Sequence, residues 1–195
     1  MKQICTYTDN ICRSFDRPGA GNTDAVLEII VRRAAQLDIK KIIIPTYSGK
    51  TALRASKVLE PARIIAVTTA YGFEKPDAQA MKDAMRSKLL AMGMQVVTGT
   101  HALGGVGRSV RKKLGTWQVD EIIAYTLRIF GQGTKVAIEA ALMAADAGCM
   151  RTSEDVISTG GSSSGIDTAL VLRPANASSF LDVKVREVIC KPANF

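Results

Sequence analysis

Short runs of β-branched residues alternate along the chain with longer segments whose apolar positions recur at helical spacing. That order predicts an α/β fold with a largely parallel sheet. Between residues 23 and 37, Val26, Leu27, Ile30, Val31, Ala34 and Ala35 share one helical face. Asn22 or Thr23 is placed to cap this helix, and Asp24 and Glu28 suit its positive end. Ile42-Ile43-Ile44 reads as a first buried strand ending at Pro45, residues 51–59 as a second helix, and residues 63–68 as a second strand. The unbroken apolar run of the second strand suits a sheet covered on both faces. Residues 77–92 read as a helix closed by Gly93, and residues 95–98 as a third strand. A basic helix over 108–114 and an amphipathic one over 120–130 follow. An Ala-rich helix over 134–147, ended by Gly148, is apolar enough to be buried. Residues 155–159 and 168–172 are a fourth and a fifth strand. A parallel crossover needs a dozen or more residues, and the eight between these two are too few, so the fifth strand is expected antiparallel. Residues 183–190 read as an edge strand.

Length and composition bound the rest. With 195 residues, 47% of them hydrophobic, the chain suits one domain with a sizeable core, residues 1–10 being expected as an extension. No apolar run approaches the ~20 residues of a bilayer span. The start, Met1-Lys2-Gln3-Ile4-Cys5-Thr6, has no apolar signal-peptide core. A cytoplasmic protein without a membrane partner is the expectation. Cys5, Cys12, Cys149 and Cys190 form no C-x-x-C pair, and His101 is the single histidine. No metal site is therefore expected, and the thiols are read as reduced and mostly buried.

The formal charge is +8, densest at Arg108, Arg111, Lys112 and Lys113. Base stacking needs aromatics, and of ten in the chain only Trp117 is near this run, so nucleic acid is not expected as a partner. A solvated helix face explains the run first, and attraction of a small anion second.

Open α/β sheets bind ligands beyond the carboxyl ends of their strands, where the strand order reverses. Two loops there carry unusual chemistry. Thr46-Tyr47-Ser48-Gly49-Lys50-Thr51 joins a buried strand to a helix. It offers hydroxyls, a glycine that lets a ligand approach the backbone, free amides and a lysine, which together suit a phosphate. It is not a Walker A loop, because the first glycine of that motif is replaced by Ile44. An ordinary Ser/Thr helix cap is the competing reading. Gly160-Gly161-Ser162-Ser163-Ser164-Gly165-Ile166-Asp167-Thr168 is either a flexible tip or a nest of amides for an anion. Its one acid, Asp167, suits a ligand hydroxyl or an Asx turn.

Other segments are weaker. Gly104-Gly105-Val106-Gly107 fails the dinucleotide fingerprint, since Val110 stands where the last glycine belongs. His101 is structural or a stacking partner for a ligand ring. The Arg17-Pro18-Gly19-Ala20-Gly21-Asn22-Thr23 loop is a turn or a lesser anion cradle. No serine is marked as a nucleophile for His101. If a reaction is catalysed, His101 and Asp167 are the acid–base candidates, in a flavin-dependent oxidoreductase or a phosphoryl-group enzyme. Homo-oligomerisation is compatible with the apolar residues of 120–130, which core packing explains equally well.

The 46–56 segment followed by Arg63-Ile64-Ile65-Ala66-Val67-Thr68 resembles the loop, helix and strand of the C-terminal domain of pyruvate kinase. More closely, the chain resembles the free-standing, mostly archaeal, pyruvate kinase alpha/beta domain-like family. The shared motifs are Phe15 to Thr23, His101 to Ser109, Leu142 to Gly148, Gly160 to Ala169 and the ending that contains Ile189-Cys190.

This resemblance implies a three-layer α/β/α domain with strand order 3-2-1-4-5, the fifth strand antiparallel. It sets the Ser48 and Gly160 loops face to face. It implies a phosphorylated ligand, flavin mononucleotide, and no pyruvate kinase activity, because the catalytic barrel is absent. By resemblance, Ser48, Gly49, Lys50 and Thr51 map onto the phosphate loop and Gly160, Gly161, Ser162, Ser163, Ser164 and Gly165 onto the second loop, and the expected contact set adds Thr46, Tyr47, Thr69, Tyr71, His101, Asp167 and Thr168. Tyr47, Tyr71, Phe73 and His101 are the candidates to face the flavin ring.

Overall fold

Alternation inside one tripeptide sets the layers. The computed structural model describes residues 6–195. The strand Ile42–Pro45 lies inside the sheet with a neighbour on each side, and Ile42, Ile43 and Ile44 are all fully buried. Side chains in a strand alternate between faces. Ile42 and Ile44 therefore join one core with Val26, Ile30, Ala52 and Leu89, while Ile43 joins the other with Ile65, Ala137 and Ala141.

The strands are β1 (Arg13–Phe15), β2 (Ile42–Pro45), β3 (Ile64–Thr69), β4 (Gln95–Gly99), β5 (Val156–Gly160), β6 (Thr168–Arg173) and β7 (Lys184–Pro192). The helices are α1 (Thr23–Gln36), α2 (Lys50–Ala55), α3 (Asp83–Ala91), α4 (Val106–Leu114), α5 (Val119–Arg128) and α6 (Gln132–Asp146). One seven-stranded sheet has the order β1-β7-β6-β5-β2-β3-β4. β2, β3, β4 and β5 are parallel, and β6 runs antiparallel to β5. From β2 the chain winds outward through α2, β3, α3 and β4. It then returns across the other face through α4, α5 and α6 to place β5 beside β2. The carboxyl ends of β2 and β5 thus flank the point where winding reverses.

The expected order 3-2-1-4-5 with its antiparallel last strand is the run β4-β3-β2-β5-β6. Two strands lie beyond it. β7 is not the edge: β1 pairs with it in parallel, Arg13 opposite Cys190 and Phe15 opposite Pro192. Arg-Ser-Phe has no apolar alternation to announce a strand. It is extended because β7 offers an open edge.

Element ends differ in two helices. α3 begins at Asp83 rather than 77. Pro76 disfavours a helix at the residue before it, and Asp77 is left-handed with φ 57°. α2 stops at Ala55, where the amides of Lys57 and Val58 turn to carbonyls three residues back and the Ser56 hydroxyl donates to Leu53 O.

Cys190 is buried and Cys149 half-buried, but Cys12 is exposed, which corrects the reading of mostly buried thiols for that residue. Cys5, the start read as lacking a signal-peptide core and the first half of the expected extension lie outside the described residues; residues 6–10 have no regular structure. Among the described residues no helix is long and apolar enough to cross a membrane. α5 turns Ala124 into the core with Ile123 and Leu127 beside it, and leaves Val119, Ile122 and Tyr125 exposed, as is Ile129 just past its end.

Candidate functional site

A cavity of about 690 Å³ opens at the winding reversal, within the size range of small-molecule sites. Its walls come from four places. The β2–α2 turn contributes Thr46, Tyr47, Ser48, Lys50 and Thr51, and the β5–β6 loop contributes Gly161, Ser162, Ser163, Ser164 and Gly165. The outer strands and loops add Val67, Thr68, Thr69, Phe73, Glu74 and His101. One face of α6 adds Gln132, Val136, Glu139, Ala140 and Met143. The two loops singled out in the sequence therefore do bound one space.

The β2–α2 turn is held open from below. Gly49 has φ 87°, a conformation that favours glycine, and a Cβ there would come within 2.4 Å of Met85 Cγ. Thr46 N–H donates to Val67 O at 2.8 Å, and the Thr68 hydroxyl donates to Tyr47 O at 3.1 Å, so both ends of the turn are tied to β3. Thr46 is 4% exposed, and its hydroxyl oxygen is buried with no hydrogen-bond partner among the described residues. A buried hydroxyl without a partner is costly, and native proteins rarely tolerate one without a reason. Ser48 and Thr51 are half-buried and Lys50 is exposed. Glu74 stands beside the Tyr47 hydroxyl and raises its pKa, with the hydrogen bond between them as the main cause.

The β5–β6 loop is closed from within. Asp167 is fully buried. One of its carboxylate oxygens accepts from Gly19 N–H at 2.8 Å, Ser162 N–H at 3.2 Å and the Ser162 hydroxyl at 2.7 Å; the other accepts from the Thr168 hydroxyl at 2.9 Å. The Thr23 hydroxyl accepts from Ile166 N–H at 3.1 Å, so it pins this loop rather than capping α1. Two readings of the sequence converge here. The 17–23 loop is indeed a cradle for an anion, but the anion that its Gly19 amide holds is the chain's own carboxylate.

Several expected contacts consequently do not line the cavity. Asp167 and Thr168 face inward. Gly160 is a packing residue, because a Cβ on it would fall 1.9 Å from Gly133 O of α6. Gly49 is buried beneath the turn, and Tyr71 is exposed outside the lining. The acid–base pair suggested by His101 and Asp167 is not assembled, since only His101 reaches the cavity.

His101 packs against Phe73 with ring centroids 4.7 Å apart and a tilt of 40°, and the Arg108 guanidinium lies 5.1 Å above the Phe73 ring. Burial lowers the His101 pKa, with Lys135 and Arg108 acting in the same direction and Glu139 opposing them. The imidazole is thus held neutral, a flat partly apolar wall rather than a cation.

Sequence reasoning missed the α6 wall and Arg54, which pairs with Asp24. Positions 132, 136, 139, 140 and 143 share one helical face, so the periodicity was visible. It marked a buried face without saying that part of that face borders a cavity.

A mixed sheet with helices on both sides and a cavity at its winding reversal defines a ligand-site domain of the open α/β class. The family model for the pyruvate kinase alpha/beta domain matches residues 24–172. The chain belongs to that family.

Proposed function

We propose that this chain binds a phosphorylated small molecule in the cavity at the carboxyl ends of β2 and β5, with flavin mononucleotide as the sharper form. The observation that carries the reading is the buried, unpartnered Thr46 hydroxyl in the wall of a cavity rimmed by Ser48, Lys50 and Thr51. In this reading the phosphate lies on the 48–51 turn. The Lys50 ammonium supplies a charge-assisted hydrogen bond, while Ser48 and Thr51 offer hydroxyls. Ser163 and Ser164, exposed on the opposite wall, are free to meet ribityl-type hydroxyls. The neutral His101 ring, Phe73 and the apolar side chains Val136, Ala140 and Met143 provide flat and apolar surface for an aromatic ring system. When bound, flavin mononucleotide would supply redox chemistry of its own. The residues around it bind and orient.

Titration with flavin mononucleotide, followed by flavin fluorescence, tests the proposal. The wild-type protein is expected to quench saturably, and Ser48→Ala combined with Lys50→Ala to weaken binding by more than about tenfold, or 1.4 kcal/mol. Unchanged affinity in the double variant overturns the phosphate assignment. Binding of riboflavin as tight as that of its phosphate does the same.

A further inference from the structure

A second cavity, of about 290 Å³, lies between α4, α5 and α6. Its wall gathers Arg108, Arg111 and Lys112 from α4, Arg128 from α5 and Lys135 from α6, with Glu121 as the one acid. Spacing explains the gathering. Residues three and four apart lie on the same helix face, so 108, 111 and 112 point together. Two of these cations already have carboxylate partners: Arg111 Nε donates to Glu121 Oε1 at 2.8 Å, and the Lys135 ammonium donates to Glu139. Both oxygens of Glu139 are thereby engaged, because its other oxygen accepts from Leu103 N–H at 3.0 Å. Asp120 rests against Gly107 at the start of α4 and is not part of the wall. Among the described residues, Arg108, Lys112 and Arg128 have no carboxylate partner.

The guanidinium groups are braced rather than loose. Arg111 lies 4.6 Å over the Trp117 ring and Arg128 lies 4.7 Å over the Tyr125 ring, while the two rings meet edge to face at 5.0 Å. Arg128 Nε also donates to Gln132 at 2.6 Å. Such stacking fixes a guanidinium in place while leaving its outer N–H groups free to meet an oxyanion. Lys135 is 5% exposed, and burial, reinforced by Arg128 and Arg108 nearby, lowers its pKa despite the opposing pull of Glu139.

Glu121 adds a second, independent feature. Its side chain is 9% exposed, and its Oε2 is buried with no hydrogen-bond partner among the described residues. A carboxylate oxygen only accepts. In an otherwise cationic wall it repels a fully deprotonated anion and welcomes one that still carries an O–H.

We propose that this cavity is a second ligand site, specific for a protonated oxyanion: hydrogen phosphate or the monoanion of a phosphomonoester. The braced arginines and Lys112 neutralise the charged oxygens, and Glu121 Oε2 accepts the remaining phosphate hydroxyl. Sulfate has the same shape and no proton at neutral pH, so the site discriminates against it. This is a different cavity from the one at the ends of β2 and β5, and the inference does not depend on that reading.

The test is calorimetric titration of inorganic phosphate and of sulfate, at pH 6.5 and low salt, into the full chain carrying Ser48→Ala and Lys50→Ala. That background removes the anion turn of the first cavity. Phosphate is expected to bind at least tenfold more tightly than sulfate. Adding Arg128→Gln, a surface change remote from the core strands, is expected to weaken phosphate at least tenfold. Adding Glu121→Gln is expected to bring the two anions within threefold of each other. The proposal is overturned by absent phosphate binding in this background, by equal affinity for the two anions, or by phosphate binding indifferent to Arg128→Gln. Should Glu121→Gln not fold, the phosphate-to-sulfate ratio and the Arg128→Gln result decide the matter alone.

Discussion

The β2–α2 turn and the β5–β6 loop have nearly the same chemical content: serines, threonines, glycines and one charged residue each, Lys50 in the first and Asp167 in the second. In space they do opposite things. The β2–α2 turn spends backbone groups on anchoring, through Thr46 N–H and Tyr47 O, and leaves the Thr46 hydroxyl without a partner. The β5–β6 loop turns its charge inward, where Asp167 gathers donors from Gly19, Ser162 and Thr168. Facing the same cavity, one loop keeps its chemistry available and the other uses much of it to hold the wall in place. A loop rich in polar residues is therefore not yet a binding loop. What distinguishes the two is whether the polar groups already have partners.

The largest effect expected from this contrast is at Asp167. Asp167→Ala strands buried donors from three residues, and the expected loss is about 3 kcal/mol of stability. For a chain of this size that is a fall in Tm of roughly 6–12 °C. Urea or thermal unfolding measures it. A variant as stable as the wild type would mean that the carboxylate is not the clasp described above. Ser48→Ala with Lys50→Ala is the counterpart, expected to change stability by no more than about 0.5 kcal/mol for each substitution.

Thr46→Val is expected to have a smaller effect of the opposite sign. It keeps the shape and removes an unpartnered buried hydroxyl, so the ligand-free protein gains up to about 1 kcal/mol while phosphate-ligand affinity falls. Chemical denaturation of the ligand-free protein decides the first half. A clear destabilisation would show that the hydroxyl has a partner after all.

The smallest effect is a pH dependence at His101. Burial lowers its folded-state pKa below the ordinary value of 6.5. Below that value the unfolded chain takes up a proton more readily than the folded one. Stability is thus full above about pH 6.5 and declines as the pH falls towards the depressed folded value. His101→Gln removes this part of the decline. Urea midpoints at pH 7.5 and pH 5.5 for the two proteins measure it, and parallel losses would place the imidazole in a water-like environment.

Much of the fold was legible because periodicity is a local property. The three isoleucines at 42–44, the 134–147 apolar segment and the short gap between residues 159 and 168 sufficed for a central strand, a buried helix and an antiparallel return. The pairing of β1 with β7 was not legible, because Arg13, Ser14 and Phe15 are extended only through an edge supplied some 177 residues later. The site divides in the same way. Thr46, Ser48, Lys50, Thr51 and the serines of the 160–168 loop were visible as a chemical type and reach the cavity. Asp167 was visible too, with two roles open, and its bond to Gly19 across 148 positions settled it as a clasp.

By itself the sequence determined the element types, the buried central strand and the two polar loops, since spacing and residue chemistry act over a few neighbours. Only the tertiary structure decided which polar atoms were left without partners, because each partner comes from a distant segment. The same long-range packing drew basic side chains from α4, α5 and α6 around one space and, among the described residues, left one oxygen of Glu121 without a hydrogen-bond partner.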